Sequence, residues 1–135
     1  MMEKSARKDR LMYDLPALLY IGLVFVGGSL PTQPKIGLAH SDKALHLVVF
    51  GGLALVLFRA IRHERREMRL GQQLWMAALG ASLVGALLEV YQLALPYRSG
   101  EVLDWVSDTI GAALAALGVA ILARHRAVDQ QRSGG

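Results

Sequence analysis

The chain has 135 residues, of which 53% are hydrophobic and 19% charged, and its mean hydropathy is +0.35. Soluble globular chains carry roughly 25% charge, so this balance points to one domain that lives in a membrane. Cysteine is absent, which excludes a disulfide framework, a thiolate nucleophile and a cysteine-held metal. The net charge of +4 carries no meaning until the cations are placed.

Residues 1–14 form a basic tail with Lys4, Arg7, Lys8 and Arg10. The first apolar block, Leu15–Leu30, is short against the about 20 residues of a full span and the floor of about 17. Its basic flank also suits a signal peptide, but no A-x-A-like cleavage site follows, so a retained anchor is expected. A loop with two prolines, "PTQPKIGLAHSD", leads to a second block at Ala44–Ile61. Arg59, Arg62, Arg65, Arg66 and Arg69 mark the end of that block and the loop after it. A third block covers Leu74–Leu95, "PYRSGE" reads as a tight turn, and a fourth block covers Val102–Ala123. The tail 124–135 ends in "RSGG" and is expected to be disordered.

These blocks predict an all-α polytopic protein with a four-helix membrane domain over 15–123. Twelve of the fifteen Lys and Arg residues fall in the N-terminal tail, the second loop and the C-terminal tail, leaving only Lys35, Lys43 and Arg98 on the other side. By the positive-inside rule both termini are expected to be cytoplasmic. Topology accounts for the basic residues, so no nucleic-acid partner is expected. Trp75 near one interface and Tyr97 and Trp105 near the other read as aromatic-belt anchors. Gly27–Gly28 and Gly51–Gly52 read as close-packing points, since no strand precedes either pair.

The remaining charges gather on the extracytoplasmic half. Asp42, Lys43 and His46 open the second span, Glu89 and Gln92 lie near the end of the third, and Arg98 follows it. Glu101, Asp104 and Asp108 open the fourth, and His40 lies in the first outer loop, where it could rim a pocket. A lone carboxylate inside an apolar run costs several kcal/mol, so Glu89 requires partners. Asp42 and His46 are i, i+4; Glu89 and Gln92 are i, i+3 and continue a stripe through Gly85 and Ser82. Asp104, Asp108, Gly111, Ala115 and Gly118 form one polar-then-small stripe that faces other helices. Three polar faces are therefore expected to converge on one outward-opening pocket.

The segments "SDKALHLVVFGGLAL" and "GALLEVYQLALPYRSGEVLDWVSDTIGAAL" carry D-K-x-x-H, then E-x-x-Q, an Arg in the next loop, and D-x-x-x-D followed by Gly. Together they resemble the VanZ-like family of small membrane proteins, over about Ser41 to Leu117. Thr109 departs from the pattern, standing where Asn is expected after Asp108, and is left out of the site. The resemblance implies a role at the outer face of the cytoplasmic membrane. The family's namesake is associated with resistance to teicoplanin, a lipid-bearing glycopeptide.

The expected function is to bind, and on one reading to modify, an anionic lipid-linked envelope molecule of the polyprenyl-phosphate or glycolipid type. His46 and Glu89 are the candidate acid/base groups, with Asp42 holding His46 and Gln92 orienting Glu89. Lys43 and Arg98 are the candidate headgroup cations, and Asp104 and Asp108 position a metal or a cation. Asp42, His46, Asp104 and Asp108 are also candidate ligands for a divalent cation, which would neutralise the acid excess. A membrane lipid or lipid-linked intermediate is the expected partner, and a homo-oligomer is compatible with so small a protein. Two other classes stay open: a structural ion-pair cluster, and a small proton- or ion-coupled transporter.

Overall fold

The computed structural model describes residues 2–31 and 41–133, with side chains described over 11–31 and 42–133. The first loop with Lys35 and His40 lies outside the described residues, as do the side chains of Lys4, Arg7, Lys8 and Arg10. The described residues form four helices: α1 Met2–Ser29, α2 Ser41–Glu64, α3 Leu70–Leu93 and α4 Val102–Ser133. Each holds a stretch long and apolar enough to cross a membrane. In α1 that stretch is Leu11–Ser29, 19 residues, which removes the shortfall expected from Leu15 onward.

The C-terminal tail departs from expectation. Instead of a disordered segment, α4 continues to Ser133, a helix of 32 residues. At 1.5 Å per residue it is about 48 Å long, well beyond the roughly 30 Å hydrocarbon core. Residues 123–132, "ARHRAVDQQR", are rich in Ala, Arg and Gln and contain neither Gly nor Pro. That composition carries helix propensity that a hydropathy profile does not register.

The helices run alternately up and down, which gives the bundle two distinct ends. At one, Tyr97 Oη donates to Ser29 O at 3.1 Å and Lys43 Nζ lies 2.8 Å from Asp104 Oδ1. This is the cluster end. At the other, the rings of Tyr13 and His63 stack at 3.9 Å among the arginines of the α2–α3 turn. This is the arginine end.

The packing is that of a membrane bundle. Phe50, Leu53, Ala54, Ala81, Leu88 and Ala112 are buried, while Leu18, Leu23, Leu83, Leu87, Leu114 and Leu122 face outward. Lipid tails are as apolar as leucine, so association depends on backbone approach and interhelical hydrogen bonds. The largest interface joins α2 to α4. There a Cβ at Gly51 would lie 3.2 Å from Gly111 O, and a Cβ at Gly111 would overlap the backbone of Leu47. The small-residue stripe of α4 therefore faces α2 as far as Ala115, whereas a Cβ at Gly118 would meet nothing within 4 Å. Helix α1 is held more lightly, by Tyr20 Oη donating to Val49 O at 2.8 Å and Gln92 Nε2 donating to Gly28 O at 3.1 Å.

Candidate functional site: a buried His–Asp–Glu cluster beside an apolar slot

Three helices each deliver one buried ionisable side chain to the cluster end: His46 from α2, Glu89 from α3 and Asp108 from α4. His46 Nδ1 lies 2.8 Å from Asp108 Oδ1, and Nε2 lies 3.8 Å from Asp104 Oδ2. With Asp108 ionised, the His46 Nδ1–H donates a hydrogen bond to Asp108 Oδ1. Asp108 is completely buried, and the close approach at Gly111, one turn further along α4, holds the two helices at this distance. Gly85 makes the room on α3: a Cβ there would sit 2.6 Å from Asp108 Oδ2.

Glu89 is stabilised by backbone. Its Oε2 accepts the Glu101 N–H at 2.7 Å, just ahead of the first turn of α4. Unpaired N–H groups and the positive end of the helix dipole gather in such a position and favour a carboxylate. Gly100 allows this approach, because a Cβ at that position would lie 2.7 Å from Glu89 O. One oxygen on each acid is left over: Glu89 Oε1 and Asp108 Oδ2 are buried without a hydrogen-bond partner. Donor atoms of His46, Glu89 and Asp108 lie within 4.8 Å of one another, a separation that a single cation can bridge.

The charges nearer the rim form a second layer. Lys43 Nζ is 2.8 Å from Asp104, 3.4 Å from Glu101 and 3.8 Å from Asp42. Three carboxylates around one ammonium neutralise it, so Lys43 serves the acids before it serves any phosphate. Arg98 sits partly buried in the turn between α3 and α4.

Beside the cluster lies a slot of about 370 Å³ between α1, α2 and α3, within the roughly 300–1,000 Å³ typical of small-molecule sites. Leu23, Val24, Gly27, Val49, Phe50 and Leu88 make its lining largely apolar, and His46 and Gln92 supply the polar groups. Leu23 and Leu30 line it and are also exposed on the bundle surface, so it opens sideways toward where lipid chains would lie.

Several site expectations change at the level of roles. Asp42 is exposed and makes its ion pair with Lys43; the group that holds His46 is Asp108, on the opposite helix. Gln92 does not orient Glu89; its amide donates to Gly28 O and ties α3 to α1. The buried set with cation-bridging spacing contains Glu89 where the expected set had Asp42 and Asp104. Sequence reasoning left out Thr109, whose Oγ1 lies 2.8 Å from Ser82 Oγ. Trp105 points its indole nitrogen at Ser82 O, 3.1 Å away, a tie between helices beyond the belt position expected of it. Thr109 follows Trp105 by four residues, and that i, i+4 spacing was the signal available for a shared face.

A His held through Nδ1 by a buried carboxylate leaves Nε2 as the atom able to take or give a proton. With Glu89 beside it, the arrangement is suited to acid–base work, to cation binding, or to gripping hydroxyl and amide donors. The fold and the cluster define a small four-helix membrane protein with a polar site built at one end of its bundle. A family model described as VanZ/LLP1 matches residues 6–123, and the chain belongs to that family. No curated protein and no solved structure matches the chain.

Proposed function

We propose that this protein binds a lipid-linked molecule of the cell envelope, with the chain in the lateral slot and the polar head at the His46–Glu89–Asp108 cluster. One observation carries this reading: His46 belongs both to the buried cluster and to the lining of the apolar slot. A tail and a head would thus meet at a single side chain. The unpartnered Glu89 Oε1 and Asp108 Oδ2 call for donors. Sugar hydroxyls supply them directly, and a phosphate supplies the equivalent only with a divalent cation beside it. On this reading the cluster end faces the outside of a bacterial cytoplasmic membrane, which the arginine count supports. Resistance to a lipid-bearing glycopeptide such as teicoplanin is a downstream expectation, to be scored by growth assay beside binding.

Filling the slot tests the reading without touching the cluster. A Cβ at Gly27 would meet nothing within 4 Å, and Gly27 lines the slot. Gly27→Leu should therefore fold at least as well as the wild type, since replacing a helical glycine gains up to about 1 kcal/mol. Native mass spectrometry of the detergent-purified proteins should show a prenyl- or glycolipid adduct on the wild type and little on Gly27→Leu. Equal adducts on both would remove the slot from the account.

A second reading, cation binding by His46, Glu89 and Asp108, is favoured by the same leftover oxygens. One nitrogen with two carboxylates suits Mn²⁺ or Zn²⁺ better than Ca²⁺. Melting of chelator-treated protein with and without each ion decides it: stabilisation that Glu89→Gln abolishes supports a bound cation, and no shift with any ion counts against it.

A further inference from the structure

A second cavity, about 700 Å³, lies at the arginine end between α1, α2 and α3, far from the His46 cluster. Arg59, Arg62 and Arg66 line it, all on α2 or just beyond it, together with His63, Tyr13 and Gln73. The wall is a built arrangement rather than a loose set of solvated cations. Tyr13 stacks on His63 with ring centroids 3.9 Å apart and planes 11° from parallel, and the Arg59 guanidinium lies 5.0 Å from the Tyr13 ring centre. Arg62 lies 5.9 Å over Phe58. These stacks tie α1 to α2 and keep two of the three guanidinium groups beside the cavity.

Gln73 supplies the independent observation. It is 3% exposed, and its Nε2 donates to Arg65 O at 2.7 Å and Met68 O at 3.1 Å, which fixes the α2–α3 turn. Its Oε1 is buried with no partner. A buried acceptor of this kind needs a donor. The cavity therefore joins a cationic wall, which takes a phosphate, to an acceptor, which takes a hydroxyl or amine. The acids on the same segment, Glu64 and Glu67, are exposed, and Glu64 lies 3.6 Å from His63.

The geometry points to a binding site for a phosphodiester headgroup that also bears a donor, of the phosphatidylglycerol type, in the leaflet at the arginine end. Arg59, Arg62 and Arg66 would hold the phosphate, and Gln73 Oε1 would accept the headgroup hydroxyl. Topology alone explains why arginines lie at this end, but not why the turn buries an amide oxygen beside them. The inference is independent of the lipid-linked molecule proposed for the cluster end.

The test uses the full chain in phosphatidylcholine nanodiscs, titrated with phosphatidylglycerol and read by native mass spectrometry. Wild type is compared with Arg59→Gln/Arg62→Gln and with Arg124→Gln/Arg126→Gln. The second pair removes equal charge from exposed positions of α4 that do not line the cavity. Removing two cationic contacts from a site should weaken binding on the order of 10- to 30-fold, with the α4 pair near wild type. Equal losses from both pairs would reduce the effect to general charge and overturn the site. Equal binding of phosphatidylglycerol and phosphatidylcholine would overturn the headgroup chemistry. Soluble glycerol 1-phosphate supplies the last arm. Weak or absent competition supports a membrane source, whereas binding as tight as the lipid's would overturn a lipid ligand. Circular dichroism on every variant confirms that each comparison is made on folded protein.

Discussion

The two ends of the bundle both carry many charges and treat them in opposite ways. At the cluster end His46, Glu89 and Asp108 are buried and contact one another or backbone across three helices. At the arginine end the guanidinium groups of Arg59, Arg62, Arg65, Arg66 and Arg69 lie on exposed residues, and the buried polar side chain among the described residues is Gln73. Those exposed cations keep their water, so placing them costs little. Burying ionisable groups costs about 2.5 to 3.5 kcal/mol each at the centre of a span, and less toward its ends. On the proposed reading, that difference marks the cluster as the region where stability is given up for a purpose, and the seam between α2 and α4 as the element that makes it tolerable.

The comparison breaks most completely at that seam. Gly111→Leu would drive a side chain into the Leu47 backbone, which cannot rotate away. A loss of about 3 kcal/mol, the upper part of the overpacking range, is expected in SDS-titration unfolding, with the cluster dispersed as α2 and α4 separate. Asp108→Ala comes next. It leaves the buried His46 ring without its 2.8 Å partner and should cost about 2 to 3 kcal/mol by the same measurement. Lys43→Met should cost about 1 kcal/mol, because its pairs with Asp104 and Glu101 are partly exposed and screened by salt. Added salt should shrink that difference. Arg124→Gln, at an exposed position of α4, sets the floor, with an expected change within about 0.5 kcal/mol. A loss at Arg124 equal to that at Asp108 would erase the distinction between the ends.

Hydropathy was enough to read the four spans, since each is one long apolar helix whose backbone hydrogen bonds are satisfied internally. It could not read where the helices end, because the polar extension of α4 to Ser133 rests on propensity rather than apolarity. That His46, Glu89 and Asp108 gather at one end of the bundle was also legible, as polar residues on otherwise apolar helices. Their pairings were not. Spacing along one helix joined Asp42 to His46 and Gln92 to Glu89, whereas the bonds that form run between helices, His46 to Asp108 and Gln92 to Gly28. Periodicity reports the face a residue occupies but carries no information about the axial register of the neighbouring helix. That register depends on contacts such as Gly51 against Gly111, which exist only once the bundle has assembled. The slot was unreadable for the same reason, since it is the gap left by the light packing of α1.

The central claim is that Glu89 is buried for ligand rather than for fold, and the most direct test compares wild type with Glu89→Gln for both melting temperature and co-purified lipid. The change keeps the shape and can keep the acceptor for the Glu101 N–H while removing the buried charge. The account predicts a variant that melts at or above the wild type, as functional sites exchange stability for activity, and that has lost its lipid adduct. A variant that melts lower and retains the same adduct would contradict it and identify the cluster as a structural ion-pair network.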